Sequence, residues 1–474
     1  METTSSKKTV LRDLFYTIRA NVLSMAISVV LFLIVPKFVS DTGYAHWQLF
    51  NLYITYAVYL SFGVGEGAYL RYGGYDDADL PRDKISSQYI ILNISSLLIL
   101  LLAVLVLPFF NIARYRYILL VATAIAALFM VPRSLLTYLL QATGRLKENA
   151  AVVIIERVVY IVVVIAALVL GFNSYIYLLA GAIVGKLVAT IYALKICREN
   201  VFTRPVSPRA ALSELADNLS AGVPLLLANL ASVSIVGFIR LIVDGRWGVN
   251  VFGKVSFSLS VLNMFLLFMN AVGTVLYPML RRRSSQSNKD LYLPLHQLLT
   301  VALFLLLILF FPARWILSLW LPKYTVSFYY LAILFPMIVY ECRNALLNYT
   351  YLKSMRKERV LFVINVGAAL LSLGIGLIFA YTYSNLLLTI ALMPVIVFIK
   401  TRLLERFILK QYGFTLIRES IVELLLMVLF VYVALAMKPL PGIGLYLVGV
   451  LLYLAINARG LKQHFSALRD IIRH

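Results

Sequence analysis

The sequence predicts an all-α polytopic membrane protein, and three observations lead to that prediction. Of the 474 residues, 62% are hydrophobic and only 14% are charged. Apolar runs of about 20 residues, long enough to cross a ~30 Å bilayer core as a helix, recur from end to end. The formal net charge of +22 comes mainly from basic residues in short stretches between these runs. In a soluble protein that charge would indicate nucleic acid, but here it indicates membrane topology.

We predict fourteen transmembrane helices from these runs. The first run has a basic start and no small-residue cleavage pattern after it, so we interpret it as an uncleaved helix. The predicted helices, in order, are 14–38, 46–70, 87–110, 116–141, 150–171, 175–196, 219–243, 251–278, 293–319, 326–350, 359–382, 385–408, 419–437 and 442–458.

The distribution of basic residues predicts the orientation. Most lysines and arginines fall in the two tails and in the loops that follow even-numbered helices. Because cytoplasmic loops carry an excess of Lys and Arg, both termini are predicted to be cytoplasmic. On this map the four tryptophans, Trp47, Trp247, Trp315 and Trp320, all lie at the outer interface, where aromatic rings are enriched.

Two pairs of similar stretches predict an internal repeat. Val39 and Val243 mark equivalent places 204 residues apart, and the Lys-Glu steps at 147–148 and 357–358 lie 210 residues apart. Each copy would hold six helices, so two six-helix lobes would be related by a pseudo-twofold axis along the membrane normal, with helices 13 and 14 as an addition. The predicted divisions are 1–197 for the N-terminal lobe, 198–218 for a cytoplasmic connection, 219–410 for the C-terminal lobe, and 411–474 for the additional helices and tail.

Charged residues inside the apolar segments are the candidate functional residues, because a charge at that depth is costly. Structural salt bridges and side chains that reach the membrane surface are the alternative explanation. A cavity rich in Arg and Lys suits an anionic phosphate group, whereas export of organic cations would call for an acidic cavity. The candidate substrate-binding residues are Arg133, Arg157, Lys186, Arg240 and Arg343. The candidate ion-coupling residues are Glu66, Glu156, Asp244 and Glu341.

Other functional classes find less support in the sequence. A membrane glycan polymerase would need a sizeable outer loop with catalytic residues, and no predicted loop is that large. The four histidines are too scattered for a metal site, and no P-loop for ATP occurs. The two cysteines, Cys197 and Cys342, cannot form a disulfide framework. We therefore expect a transporter rather than an enzyme, with no catalytic residues, no metal and no cofactor.

Six stretches, spread over most of the chain, carry a resemblance to a known family: VPKFVSDTGYAHWQLFNLY (35–53), FGVGEGAYLRYGG (62–74), LLQATGRLKENAAVVIIERVVY (139–160), GFIRLIVDGRWGVNVFG (237–253), WLPKY (320–324) and YLKSMRKERV (351–360). In their order and spacing they resemble the polysaccharide and lipid-linked oligosaccharide flippases (Wzx-like) of the multidrug/oligosaccharidyl-lipid/polysaccharide (MOP) exporter superfamily. Members of that family often carry an Asp immediately before the helix 7 arginine, where this chain has Ile239, and this departure weakens the case for ion coupling at that place.

The resemblance implies a flippase in a bacterial cell membrane, with two lobes that open alternately to each side. Its cargo would be a polyprenyl-pyrophosphate-linked oligosaccharide repeat unit, moved from the inner to the outer leaflet for surface polysaccharide biosynthesis. Membrane lipids, this glycan and the polysaccharide polymerase machinery would be its partners, and nucleic acid would not. Lipid II or a teichoic acid precursor is the alternative cargo, and multidrug antiport is the weaker alternative. Membrane potential, H⁺ or Na⁺ would supply the driving force.

Overall fold

The computed structural model of the protein describes residues 26–281, 285–413 and 417–473. Within these ranges all regular secondary structure is helical, which confirms the predicted fold class at that level. The contacts divide the chain into two compact units, Met1–Leu230 and Ala231–His474. The predicted lobe boundaries and the pseudo-twofold symmetry stay predictions.

The first unit is built around one helix, α5, which packs against α2, α3, α4 and α7. Leu135, Leu136 and Leu139 on α5 are almost fully buried in the largest apolar cluster of this unit. The helices are α1 Ala26–Phe38, α2 Asp41–Ala57, α3 Val64–Arg71, α4 Arg82–Val106, α5 Arg114–Ala142, α6 Leu146–Val169, α7 Tyr175–Ile196, α8 Arg198–Val201 and the first part of α9, Pro208–Trp247.

The second unit holds the rest of α9 and ten further helices. Within it α17 packs against α13, α14 and α16, and α19 packs against α11 and α18. An apolar cluster around Tyr292, Leu347, Tyr351 and Leu404 forms part of its core. The helices are α10 Val249–Arg281, α11 Ser285–Leu306, α12 Phe310–Trp320, α13 Thr325–Leu334, α14 Met337–Arg343, α15 Tyr349–Ser354, α16 Glu358–Leu377, α17 Leu386–Tyr412, α18 Ile417–Ala436 and α19 Pro439–Arg473.

Eleven helices in the described ranges are long and apolar enough to cross a membrane, and a bent pair raises the number to twelve. That pair, Pro322–Leu334 and Met337–Ser354, is bent by 53° where Pro336 lies, because proline cannot donate the backbone hydrogen bond that a straight helix needs. These twelve spans correspond to predicted helices 3 to 14. Of predicted helix 1, 14–38, only Ala26–Phe38 lies within the described residues. The number fourteen stays a prediction.

Predicted helix 2, 46–70, is not one continuous helix. Phe62 and Gly63 have φ angles of 52° and 89°, a left-handed conformation that ends the helical structure between α2 and α3. A Cβ atom added to Gly63 would lie 2.9 Å from the backbone of Gly222 on α9, and one on Gly67 would lie 2.0 Å from the carbonyl oxygen of Asn218. The break and these glycines therefore let α3 and α9 meet backbone to backbone within the first unit.

The predicted connection 198–218 is helical over its second half, which corrects the predicted start of helix 7 at residue 219. Ser207 begins α9: its side-chain oxygen accepts a hydrogen bond from the backbone N–H of Ala210 at 3.4 Å. Pro208 follows at the first helical position, where its missing N–H costs nothing.

The acidic residues of this stretch are paired in the structure. Glu214 on α9 is buried and accepts hydrogen bonds from the Arg71 guanidinium at 2.5 Å and the Tyr72 hydroxyl at 2.6 Å. Its other oxygen lies 3.1 Å from the Lys84 ammonium. Burial, together with the hydrogen bond to Glu214, raises the pKa of Tyr72, so its hydroxyl stays a donor. Partners more than a hundred residues away thus make this charged segment part of a packed helix.

Candidate functional site

Three of the predicted residues meet in the first unit around one carboxylate. Arg133 from α5 lies 2.5 Å from one oxygen of Glu156 on α6, measured from Nη2 to Oε2. Lys186 from α7 lies 2.7 Å from the other oxygen, measured from Nζ to Oε1. The three side chains are 10%, 21% and 11% exposed, in the order Arg133, Glu156, Lys186. We call them the shared-carboxylate cluster.

A glycine on α7 lets this cluster form. A Cβ atom added to Gly185 would lie 2.8 Å from the carbonyl oxygen of Glu156 and 3.4 Å from Cβ of Tyr160. The two helices can therefore approach closely just where Lys186 must reach the carboxylate. Tyr160, one turn beyond Glu156, accepts a 2.8 Å hydrogen bond from the indole of Trp47, so α6 is also fixed to α2.

The shared-carboxylate cluster carries more positive than negative charge. Two cations share one carboxylate, and the exposed Arg157 adds a third positive charge beside it. The Nη1 atom of Arg133 is buried and has no hydrogen-bond partner among the described residues. A buried donor that is left without a partner costs free energy. Chemically, the cluster is suited to an anion.

Glu66, a candidate for ion coupling, has a different partner from those in the cluster. Its side chain on α3 is buried, and the hydroxyl of Tyr138 on α5 donates a hydrogen bond to Oε1 at 3.1 Å. Its other oxygen, Oε2, has no hydrogen-bond partner in the part of the chain that the structure describes. Glu66 is thus held by a neutral donor, not by one of the predicted cations.

Arg240 and Asp244 lie one helical turn apart in the part of α9 that belongs to the second unit. The guanidinium of Arg240 donates to the hydroxyl of Ser256 at 3.0 Å and lies over the ring of Phe252, with 5.1 Å between its Cζ atom and the ring centroid. Asp244 is 2% exposed.

Arg343 is surrounded by acids. Its side chain is 0% exposed, and its guanidinium lies 2.9 Å from Glu405 on α17 and 2.8 Å from Glu423 on α18. It also donates to the hydroxyl of Thr300 at 3.0 Å. Arg402 on α17 pairs with the same two acids, so two arginines and two carboxylates balance one another. We call these four residues the buried four-charge cluster.

The remaining predicted acid, Glu341, pairs with a lysine that the sequence reasoning did not single out. Lys400 on α17 is almost fully buried, and its Nζ atom lies 3.1 Å from Oε1 of Glu341. Arg402 and Glu405 were also missed. All three lie in predicted helix 12, where their spacing of two to three residues around one turn was the available signal.

The structure therefore separates the five predicted cations into different environments. Arg133 and Lys186 meet at Glu156 with Arg157 beside them, and this group has spare positive charge. Arg343 has its charge matched by acids and is closed to solvent.

Comparisons with known proteins agree with this architecture. The polysaccharide biosynthesis protein family matches residues 10–284 of the chain. The solved structure of the lipid II flippase MurJ in an inward-closed conformation has a TM-score of 0.63 at 15% identity, covering 95% of this chain and 99% of that one. For an inward-facing structure of a multidrug resistance MATE family transporter of the MOP superfamily, the TM-score is 0.61 at 13% identity, covering 88% of this chain and 95% of that one. For an outward-facing structure of a multidrug resistance MATE family transporter of the MOP superfamily, the TM-score is 0.58 at 13% identity, covering 85% of this chain and 95% of that one.

None of the curated proteins matches the chain in sequence. At these identities the structural matches establish the fold alone. Together with the family match, they confirm the resemblance to the MOP superfamily that the sequence predicted.

Proposed function

Because the chain belongs to the polysaccharide biosynthesis protein family, we propose that it is a flippase for a polyprenyl-pyrophosphate-linked oligosaccharide. It moves this repeat unit from the inner to the outer leaflet of a bacterial cell membrane, with both termini in the cytoplasm, to supply surface polysaccharide synthesis. The cycle alternates between states open to each side, and a polysaccharide polymerase is the downstream partner.

The observation that carries this proposal is the excess positive charge of the shared-carboxylate cluster. A pyrophosphate offers several oxygens, and a guanidinium can hold phosphate through parallel hydrogen bonds while lysine adds a point charge. The Nη1 atom of Arg133, which has no hydrogen-bond partner in the described part of the chain, provides one such donor, and Arg157 provides further positive charge nearby. An organic cation would be repelled by the same group, so multidrug antiport is disfavoured.

The carboxylate of Glu156 gives the cluster a way to release its cargo. In the structure the carboxylate of Glu156 contacts both cations, at 2.5 Å and 2.7 Å. An incoming pyrophosphate competes with this carboxylate, and the carboxylate takes the cations back when the cargo leaves. Binding is then weaker than two free cations would give, which favours turnover over capture.

Arg343 is left out of the proposed contacts. Its guanidinium is paired with Glu405 and Glu423, and binding a pyrophosphate there would place further negative charge beside two buried carboxylates. We infer that Arg343 stabilises the fold and does not contact the cargo.

A binding measurement tests the proposal. The affinity of purified protein for a polyprenyl-pyrophosphate-linked oligosaccharide is compared between wild type, Arg133→Gln and Lys186→Gln. Loss of a charged hydrogen bond predicts about 10- to 100-fold weaker binding. Arg114→Gln and Lys195→Gln, at exposed positions of the same two helices, are the matched controls and keep wild-type affinity. Equal affinity in all five proteins refutes the assignment of the cluster to the cargo.

The fold similarity to the lipid II flippase favours one second candidate, a peptidoglycan precursor as cargo. Both candidates carry a pyrophosphate on a polyprenyl chain, so the cluster binds either, and the sugar decides between them. Competition separates them: unlabelled lipid II and unlabelled oligosaccharide-linked lipid are added in turn to the same binding assay. The true cargo displaces the bound lipid at the lower concentration.

A further inference from the structure

A pocket outside the shared-carboxylate cluster opens between α4, α7 and the segment that follows α8. Its volume is about 650 Å³. One side is a stripe on α4 that includes Ile90, Asn93 and Ile94, and the far side is formed by Leu194 on α7 and by residues 201–204. The pocket lies where α4 begins and α7 ends, so it straddles one surface of the membrane.

The two ends of the pocket differ in chemistry. Toward the membrane interior it is lined by Ile90, Ile94 and Leu194, and the two isoleucines are exposed. Toward the membrane surface it is lined by Thr203 and Arg204. An apolar trough that ends in an arginine matches a lipid, with acyl chains along the trough and an anionic headgroup at its basic end.

The segment that carries Arg204 is fixed in place. The hydroxyl of Ser86 lies 2.7 Å from the carbonyl oxygen of Val201 and 2.9 Å from that of Thr203. The backbone N–H of Val206 donates to the hydroxyl of Ser87 at 3.0 Å. The arginine is thus held at the rim of the pocket by hydrogen bonds on both sides of it in the sequence.

Positive charge predominates at this rim. The one acid in the segment, Glu199, is paired with Arg82 at 2.8 Å. Arg198, Arg204 and Arg209 are exposed and have no ion pair or hydrogen bond from their side chains among the described residues. Beside them Phe202 is 75% exposed, as expected of an aromatic ring that enters the lipid.

We propose that this pocket binds one anionic glycerophospholipid, with its phosphate at Arg204 and an acyl chain along Ile90 and Ile94. In the orientation given under the proposed function, this is a lipid of the inner leaflet, and only that leaflet assignment rests on the proposed function. The bound lipid connects α4 to the segment between α8 and α9, so it stabilises the first unit. Such a site is separate from the cargo site and needs no transport to be detected.

Thermal unfolding and lipid crosslinking test the site in the full-length purified protein. Phosphatidylglycerol and phosphatidylcholine with identical chains are titrated into wild type, Arg204→Gln and Arg209→Gln in detergent. We expect phosphatidylglycerol alone to raise the Tm of wild type, with about fivefold weaker apparent affinity in Arg204→Gln, since one arginine at a membrane surface contributes a factor of that order. Arg209→Gln, in the first turn of α9 and not lining the pocket, changes the affinity by less than about twofold.

A photoactivatable phosphatidylglycerol locates the bound chain, and we expect it to label the α4 peptide that contains Ile90 and Ile94. Unlabelled phosphatidylglycerol should compete for this labelling, whereas unlabelled polyprenyl-pyrophosphate-linked oligosaccharide should not. The proposal is overturned if both phospholipids raise the Tm equally, or if the two arginine substitutions weaken the apparent affinity for phosphatidylglycerol equally. It is also overturned if only the unlabelled cargo lipid competes for the photolabelling. Because the readouts are binding and unfolding, a failed cargo assay leaves this result standing.

Discussion

Gly185 on α7 lies against the backbone of Glu156 on α6, so closely that an added Cβ atom would be 2.8 Å from the Glu156 carbonyl oxygen. The neighbouring residue, Lys186, reaches the carboxylate of Glu156 at 2.7 Å. The absence of a side chain at residue 185 therefore sets the distance that the neighbouring lysine must span.

Gly185→Ala should separate the two helices and weaken the cluster. Overpacking of this kind costs about 1–3 kcal/mol, and we expect a lower Tm together with weaker cargo binding. Gly181→Ala is the control on the same helix, because its nearest neighbour would be a flexible Val163 methyl at 3.3 Å. If both substitutions have the same effect, close approach at residue 185 does not position Lys186.

Glu156→Gln should tighten binding and slow transport. The amide cannot neutralise Arg133 and Lys186, so a pyrophosphate meets less competition for them and leaves more slowly. Cargo affinity, single-turnover release and steady-state flux in proteoliposomes are measured on the same preparations. The unbound variant should also be less stable than wild type, and cargo should restore more of its Tm than it adds to wild type. Weaker binding in this variant would contradict competition between carboxylate and cargo.

Arg343→Ala should unfold the protein at lower temperature without a specific effect on cargo affinity. Removal of one partner from a buried ion pair costs about 3–5 kcal/mol, because Glu405 and Glu423 would lose one of the two arginines that pair with them. Arg133→Ala is the comparison: Glu156 keeps Lys186 as a partner, so the Tm of this variant should fall less. Normal stability with lost cargo binding in Arg343→Ala would return this residue to the binding site.

Gly222→Ala should disrupt the contact between α3 and α9 in the first unit. Its Cβ atom would lie 1.9 Å from the carbonyl oxygen of Gly63, a backbone atom that cannot rotate away. We expect the free energy of unfolding to fall by about 1–3 kcal/mol. Gly367→Ala on α16 has nothing within 4 Å of the added atom and serves as the control, with unchanged or slightly higher stability. Thermal unfolding of both variants decides whether this backbone contact is required.

Export should respond to membrane potential. A pyrophosphate with about two negative charges moves from a negative interior to the outside, and each charge gains ~2.3 kcal/mol per 100 mV, so a negative interior favours export. Collapse of the potential with valinomycin and potassium, at fixed pH and sodium, should slow the flux in proteoliposomes. An unchanged rate would reject electrical drive.

A response to pH or sodium, with no response to potential, would instead shift attention to the buried acids. Glu66→Gln is the first variant to compare, because its Oε2 atom has no hydrogen-bond partner within the described ranges. Glu341→Gln should be less informative about ion coupling, since Glu341 already pairs with Lys400. Loss of the pH or sodium response in Glu66→Gln alone would assign the coupling to the first unit.

Hydropathy predicted the positions of the later spans well, because a helix that crosses lipid must be apolar over its whole length. It could not reveal the break at Phe62 and Gly63, since glycine is also common in continuous membrane helices. The early start of α9 was missed for a different reason. Its charged residue Glu214 is stabilised by Arg71, which lies 143 residues away in the sequence.

The candidate site was predictable in its members but not in all its pairings. Arg133, Glu156 and Lys186 were identified because charges are conspicuous in apolar segments. Their convergence depends on the helix spacing at Gly185, which periodicity does not encode. The role of Arg343 in binding stays a prediction, and its pairing with Glu405 and Glu423 could not be predicted because both acids lie on later helices.

The buried four-charge cluster also has a consequence for how the protein is made. Glu423 on α18 is 80 residues beyond Arg343, so at a synthesis rate of ~5–20 residues per second it emerges about 4–16 s later. During that interval the nascent chain holds an arginine whose counter-charge has not been fully translated. Helix α18 therefore completes the charge balance of this cluster, and a chain truncated after α17 would leave its two arginines with one carboxylate between them.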